Sequence, residues 1–148
     1  MQLSEHFHLD EFTKSQIAAR LGFDNTPSPE ILENLKRTAH GMELVRARLG
    51  GLPIIISSGY RCLSVNRTLG SKDSSYHVFG LGVDFTCSKF GSVDDVFVDL
   101  VGSSIEYDKL IIEYNSWIHI QFPKDGEEPR RQSYVIDKSG ISIYKPKI

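Results

Sequence analysis

The segment 57–85 constrains the fold most, because it places charged and imidazole side chains among glycines beside an apolar strand. His77 and Asp84 are seven residues apart, with Gly80 and Gly82 between them. Glycine permits a tight turn and a close approach of other backbone. The pattern therefore predicts a loop that turns into a short strand, with Asp84 near the end of that strand.

Helical signals dominate the first half of the chain. Ser28 is a helix-capping residue, and Pro29 suits the first helical position, where its missing N–H costs nothing. Apolar residues then recur every three or four positions as far as Leu49, which predicts about five turns of helix ended by the following pair of glycines. Shorter helices are predicted before Gly22 and after Ser92.

Short apolar runs predict strands, most of them in the second half of the chain. Helices followed by strands joined through short turns indicate an α+β fold, with N-terminal helices packed on a mostly antiparallel sheet. Between the first two strands, residues 66–75 are polar and are predicted to form a loop that crosses the site. The predicted strands are 53–57, 81–85, 109–113, 117–121, 134–136 and 141–144.

Length and charge restrict the class of protein. A chain of 148 residues favours one domain, with its core at about 3–122 and a C-terminal hairpin at 133–144. The net charge of −2 gives no support for a nucleic-acid partner, and no apolar run approaches the roughly 18 residues of a membrane span. The first residues lack the basic start and apolar core of a signal peptide, so we expect a cytoplasmic protein at synthesis.

Two cysteines, Cys62 and Cys87, lie on either side of His77 and Asp84 in the sequence. Two cysteines are too few to indicate an oxidising compartment, and we interpret them as small thiols. A disulfide between them stays open as the alternative, because both come close to the site in sequence.

His119 is an imidazole in the middle of an otherwise apolar strand of tryptophan and isoleucine. A polar side chain there needs a hydrogen-bond partner or a ligand. Taken with His77 and Asp84, it completes a set of two imidazoles and one carboxylate, which can bind zinc and leave a fourth position free. His6 and His8 are interpreted as surface histidines, since no acidic or thiol partner lies at a ligand-like spacing.

Several stretches together form a specific signature. They are Ser57-Ser58-Gly59-Tyr60-Arg61, Asn66, Ser75-x-His77-x-x-Gly80-x-x-x-Asp84-Phe85 and Trp117-x-His119. This combination resembles the zinc D-alanyl-D-alanine carboxypeptidase family, which includes VanY-type enzymes and phage L-alanyl-D-glutamate endopeptidases. The N-terminal segments LSEHFHLDEF and DNTPSPEILENLK are similar to the phage and prophage branch, so the resemblance covers about residues 3–122.

The resemblance implies a zinc peptidase-like domain with a VanY-type or Hedgehog-like fold and a Zn²⁺ site at the sheet. His77, Asp84 and His119 would be the metal ligands. The implied activity is hydrolysis of peptidoglycan stem peptides, either at D-Ala-D-Ala as a carboxypeptidase or at L-Ala-D-Glu as an endopeptidase. The implied partner is the cell-wall peptide. The protein would reach it as endolysins do, by release from the cell during phage lysis. We take a monomer as the default oligomeric state.

The resemblance also suggests which residues handle the substrate. Arg61 would face the negative charge of the reaction intermediate or a substrate carboxylate. Tyr60 and Ser75, which belong to the same signature, would contribute to substrate binding.

The general base is the point at which the chain departs from its relatives. Many of them place an acidic or histidine residue three positions before the last ligand, where this chain has Ser116, which cannot act as a base. Glu113 lies six positions before His119, at the end of the preceding strand, and a hairpin can bring it beside the metal. We predict Glu113 as the base, with Asp108 and Glu106 as the next candidates.

Two other interpretations stay open. A zinc-binding module that has lost its base would bind cell-wall peptide or a phage structural partner without cleaving it, and Ser116 favours this view. The chain could also be a phage structural component in which the metal only stabilises the fold, but structural zinc usually has four protein ligands rather than three.

Overall fold

Three of the helices begin or end at a residue whose capping role was predicted from the sequence. Residues 1–146 are described by a computed structural model. The Ser28 hydroxyl accepts a hydrogen bond from the backbone N–H of Ile31, and Ser92 forms a capping box with Asp95. Gly22 ends its helix with a φ of 73°, which glycine adopts easily. The helices are α1 Leu9–Thr13, α2 Gln16–Leu21, α3 Pro29–Arg48, α4 Leu63–Thr68 and α5 Val93–Val101.

Six strands form one sheet in the order β1-β2-β4-β3-β5-β6. Each neighbouring pair is antiparallel except β3 and β5, which run parallel. The predicted α+β class is therefore confirmed, and the sheet is mixed. The strands are β1 Ile55–Ser58, β2 Gly82–Thr86, β3 Lys109–Glu113, β4 Trp117–Gln121, β5 Gln132–Asp137 and β6 Gly140–Ile143.

The two faces of the sheet have different roles, because side chains alternate along each strand. One face supplies Val83, Phe85, Ile118 and Ile120 to the hydrophobic core, which also includes the apolar stripe of α3 and the buried side of α5. The intervening residues of the same strands include Asp84 and His119 and point to the opposite face. The core therefore supports the sheet from one side and leaves the polar face for the site.

Three details differ from the sequence predictions. Residues 63–68 form helix α4, so the loop predicted from residue 66 begins later; burial of Val65 and Asn66 stabilises a helix that the polar composition had hidden. Strand β1 begins at Ile55 rather than Pro53, whose missing N–H makes it a poor strand residue. The parallel pairing of the C-terminal hairpin with β3 was not predicted, because register over that distance depends on tertiary packing.

Cys62 and Cys87 are both free thiols, and Cys87 is buried. Within residues 1–146, no helix is long and apolar enough to cross a membrane.

Candidate metal centre

Strands β2 and β4 bring Asp84 and His119 directly opposite each other, and the turn before β2 adds His77. Oδ1 of Asp84 lies 2.9 Å from Nδ1 of His119 and 3.2 Å from Nε2 of His77. All three residues are buried, and their candidate ligand atoms lie within 4.8 Å of one another. The structure therefore assembles the three residues that the sequence analysis selected.

The position of His77 depends on the glycines of its turn. Gly80 has a φ of +71°, and a Cβ on Gly82 would lie 3.0 Å from the His77 backbone nitrogen and 3.1 Å from Cε1 of His119. The Nδ1 atom of His77 lies 2.7 Å from the Gly59 carbonyl oxygen. A carbonyl can only accept, so Nδ1 carries the proton and the lone pair of Nε2 faces Asp84.

The second imidazole is fixed in the complementary way. Nε2 of His119 lies 2.9 Å from Oε1 of Gln121, which can only accept a hydrogen bond. The proton of His119 on that side is therefore on Nε2, and Nδ1 is the atom that faces Asp84. Each histidine thus has one nitrogen occupied by the protein and the other directed at the common centre, as is usual for metal-ligating histidines.

Charge and burial compete within the cluster. Burial lowers the pKa of His77, so its imidazole stays neutral. Burial also opposes charge on His119, but its hydrogen bond with Asp84 outweighs this and raises its pKa. Burial alone would raise the pKa of Asp84, yet the two imidazoles hold it well below the ordinary range. The carboxylate is therefore ionised and partly neutralised by the neighbouring rings.

These donors fit a zinc ion. Zinc in catalytic sites is bound by three nitrogen or carboxylate ligands and keeps a fourth position for water or substrate. The cluster offers Nε2 of His77, Nδ1 of His119 and an oxygen of Asp84, and the outer hydrogen bonds leave these atoms free to coordinate.

Arg61 borders the cluster on the side of β1. Its Nη2 lies 3.5 Å from Oδ2 of Asp84, while Nε donates to the Ser58 hydroxyl at 3.1 Å. Nη1 donates to Oδ1 of Asn66 at 3.4 Å. The guanidinium is only 14% exposed and is held by three side chains, so it provides a fixed positive charge at the edge of the metal site.

Glu113 lies on the same face of the sheet as His119. It pairs with Trp117 across the β3–β4 hairpin, and Trp117 is two residues from His119 on β4. The Trp117 indole N–H donates to Oε2 of Glu113 at 2.6 Å. Burial, followed by the charge of Asp84, raises the pKa of Glu113. A carboxylate with a raised pKa that is held beside a metal site is suited to general-base chemistry.

The other candidate carboxylates are engaged or remote. Asp108 is buried and accepts two hydrogen bonds from Arg130, which together with Gln121 lower its pKa to about 2 despite the opposing effect of burial. Glu106 is exposed and lines a separate depression with residues of α3. Ser116 lies in the exposed hairpin turn, where its hydroxyl donates to the Tyr114 carbonyl.

Tyr60 and Ser75, the two predicted substrate-binding residues, have different surroundings. Tyr60 lines a groove of about 470 Å³ together with Arg61, between β1 and the link from α1 to α2. The Ser75 hydroxyl accepts from the His77 backbone N–H at 3.3 Å. Its contact in this structure therefore supports the turn that presents His77.

The N-terminal histidines belong to a different part of the molecule. Nδ1 of His6 lies 2.7 Å from Oε1 of Glu43 on α3. His8 is the N-cap of α1, and its Nε2 is 2.8 Å from the terminal amine. Neither residue belongs to the metal-type cluster found among residues 1–146; His6 is exposed and His8 is half-buried.

Gln121 and the carbonyl of Gly59 are hydrogen-bond partners of the candidate ligands that were not predicted from the sequence. Gln121 had a detectable signal, since it lies two residues after His119 and therefore on the same face of a strand. The Gly59 contact had none, because it joins the turn after β1 to a histidine eighteen positions away in sequence.

A protein-family model covers the part of the chain that contains the cluster. The model of the family described as Peptidase M15 matches residues 5–121, more than half of the chain. The chain therefore belongs to the Peptidase M15 family. No curated protein matches it.

Proposed function

We propose that the protein is a zinc-dependent metallopeptidase that hydrolyses peptide bonds in peptidoglycan stem peptides. Membership of the Peptidase M15 family supports a peptidase. The observation that carries the proposal is the three-donor cluster, in which each histidine directs one ring nitrogen at Asp84 while Glu113 and Arg61 lie on its borders.

The residues around the cluster have complementary tasks in hydrolysis. A zinc ion held by His77, Asp84 and His119 would supply Lewis acidity, which would polarise the scissile carbonyl and acidify a water molecule. Glu113 accepts a proton as the water oxygen attacks the carbonyl carbon, and it returns that proton to the amine nitrogen as the C–N bond breaks. Arg61 stabilises the negative charge on the former carbonyl oxygen.

The groove beside Arg61 provides a path for an extended peptide. It follows the free edge of β1 and is bordered on its far side by residues 14–17. Lys14 and Arg61 give it positive charge, and none of the described residues that line it carries a carboxylate. Positive charge and hydroxyl groups along an edge strand suit an extended peptide that bears carboxylates, as stem peptides do.

The test is hydrolysis of defined muropeptides, with separate substrates for the D-Ala-D-Ala and L-Ala-D-Glu bonds. Activity should disappear with a chelator and return with added zinc. The bond that is cut distinguishes carboxypeptidase from endopeptidase action, and release of the protein during phage lysis would bring it to this substrate.

A second candidate function is a cell-wall or phage-protein binding module that does not cleave. Ser116, at a position where many relatives have the base, favours it. Zinc and muropeptide binding without hydrolysis would support this alternative and contradict the peptidase.

A further inference from the structure

Arg130 lies outside the residues matched by the family, 5–121, yet hydrogen bonds connect it to a metal-ligand candidate. Its Nε donates to Oδ1 of Asp108 at 2.8 Å, and Nη2 donates to Oδ2 at 2.7 Å. Nε2 of Gln121 donates to Oδ2 of Asp108 at 2.9 Å. Oε1 of Gln121 is in turn 2.9 Å from Nε2 of His119. We call this chain of four side chains the relay.

The relay has a direction that donor and acceptor chemistry imposes. An ionised Asp108 can only accept, so it faces the NH₂ group of Gln121 and turns the amide oxygen toward His119. That oxygen also only accepts, so Nε2 of His119 keeps its proton, and Nδ1 is the nitrogen left to face Asp84 and to bind a metal. Reversing the amide would place two acceptors against each other at Asp108.

The relay is rigid because most of it is buried and attached to the sheet. The Asp108 side chain is 3% exposed, and His119 and Gln121 are also buried. The backbone N–H of Asp108 donates to the Gln121 carbonyl at 2.8 Å, and the Gln132 N–H donates to the Asp108 carbonyl at 3.1 Å. A misplaced polar group in such a setting loses its partner and cannot recover it from water.

Arg130 fixes the orientation of Asp108 and, through Asp108, that of the rest of the relay. Its two parallel bonds fix both oxygens of Asp108, a geometry that guanidinium provides and that adds directional specificity. Without Arg130, the buried Asp108 carboxylate would keep only the Gln121 amide as a side-chain partner. Nothing would then fix the orientation of Asp108 or favour its ionised form.

We propose that Arg130 is a positioning residue for the metal centre, acting through Asp108 and Gln121 on the orientation and tautomer of His119. The inference rests on the zinc-binding part of the proposed function and does not require hydrolysis. It assigns a role at the site to the segment that follows β4, beyond the family-matched residues.

The experiment measures the zinc dissociation constant by chelator competition, and the visible spectrum of the cobalt-substituted protein, in full-length variants. Loss of an outer hydrogen-bond partner typically weakens metal binding by about 10- to 100-fold. We expect Gln121→Met to weaken zinc binding within that range and Arg130→Met to weaken it about 10-fold. The double variant should be no weaker than Gln121→Met alone, because Arg130 acts through Gln121.

Matched variants separate positioning from general destabilisation. Arg131→Met removes the adjacent guanidinium, which donates to the carbonyls of Ser103 and Ile105 at 2.8 Å, and should leave zinc affinity and the cobalt spectrum unchanged. Arg130→Lys, which keeps a charged donor, should recover part of the lost affinity.

Each outcome has a distinct meaning. Wild-type zinc affinity and an unchanged cobalt spectrum in Arg130→Met would overturn the positioning role, as would equal losses in Arg130→Met and Arg131→Met. Failure of the wild-type protein to bind zinc would overturn the relay and the zinc assignment together. Zinc binding with the expected variant series but without hydrolysis would overturn the peptidase and leave the relay supported.

Discussion

Asp84 on β2 and His119 on β4 are direct cross-strand partners, and Oδ1 of Asp84 lies 2.9 Å from Nδ1 of His119. Side chains of opposed residues on one face of a sheet are close neighbours, so this pairing sets the distance between two metal-ligand candidates without help from a flexible loop. His77 is then the only one of the three whose position depends on a turn.

Removal of His119 should abolish high-affinity zinc binding. His119→Ala takes away one of three donors, and the remaining pair leaves Asp84 with one neutral imidazole. Metal analysis after gel filtration checks this. A His6→Ala/His8→Ala double variant is the control and should keep full zinc, since its histidines contact Glu43 and the N-terminus instead. Unchanged zinc content in His119→Ala would contradict the ligand assignment.

Glu113→Gln should lower turnover by about 10²- to 10⁴-fold, the usual contribution of a general base. Zinc content should not change, because Glu113 is not a proposed ligand, and glutamine still accepts the Trp117 N–H. The exposed Glu106→Gln variant is the control and should retain activity. Near wild-type hydrolysis by Glu113→Gln would place the base elsewhere.

The pH profile of kcat/KM should report the same residue. The pKa of Glu113 is raised, and a base works only when deprotonated, so activity should increase with pH through a value above the ordinary glutamate pKa of about 4.3. Trp117→Phe removes the indole donor that favours the ionised form of Glu113, so the rise in kcat/KM should move to higher pH. A rise centred at or below the ordinary glutamate pKa would argue against Glu113 as the base.

Arg61→Ala should reduce kcat by about 10²- to 10³-fold and change KM less, because its charge acts on negative charge that develops during the reaction. Zinc content should be retained. Lys14→Ala, which removes the other cation of the groove, should instead raise KM with little change in kcat. A normal kcat in Arg61→Ala would reassign Arg61 to substrate binding.

The Asp108–Arg130 pair should make stability depend on pH in the acid range. The folded-state pKa of Asp108 is about 2 against 3.8 for the free group, so its contribution is present above pH 4 and is lost as the pH falls toward 2. The shift corresponds to about 2 kcal/mol of unfolding free energy. In chelator-treated protein, we expect the free energy of unfolding, measured with denaturant, to decrease less steeply over this pH interval for Asp108→Asn than for the wild type. Equal slopes would contradict the shift.

Gly59→Ala should destabilise the fold near the site. A Cβ at this position would lie 2.5 Å from the Phe12 carbonyl oxygen and 2.8 Å from the Phe12 Cα. The backbone of Phe12 cannot move away easily, so we expect the free energy of unfolding to decrease by about 1–3 kcal/mol. Zinc binding should also weaken, because the Gly59 carbonyl orients His77. Gly102→Ala, with nearest contacts of 3.6 Å, is the control and should be nearly neutral by thermal melting.

Local features of the fold were predictable because they depend on short stretches of chain. Ser28 and Pro29 begin α3 as expected, and the β3–β4 hairpin has the predicted bounds. Helix α4 was missed because it is stabilised by the burial of Val65 and Asn66, which a polar sequence does not reveal. The choice of general base also combines both kinds of information. The position of Glu113 close to His119 in sequence made it the first candidate, and the contact with Arg130 in the folded protein shows why Asp108 is unsuited to the role.

Residue types and their spacing were enough to select the side chains of the site, because ligand chemistry is a property of residue type and strand periodicity places His119 and Gln121 on one face. How these side chains meet depends on the tertiary structure. The strand order puts β2 beside β4, the Gly59 carbonyl selects the free nitrogen of His77, and Arg130 reaches Asp108 from beyond the family-matched residues. These contacts join distant parts of the chain, and their energies come from burial and mutual hydrogen bonding in the folded core, which no local pattern specifies.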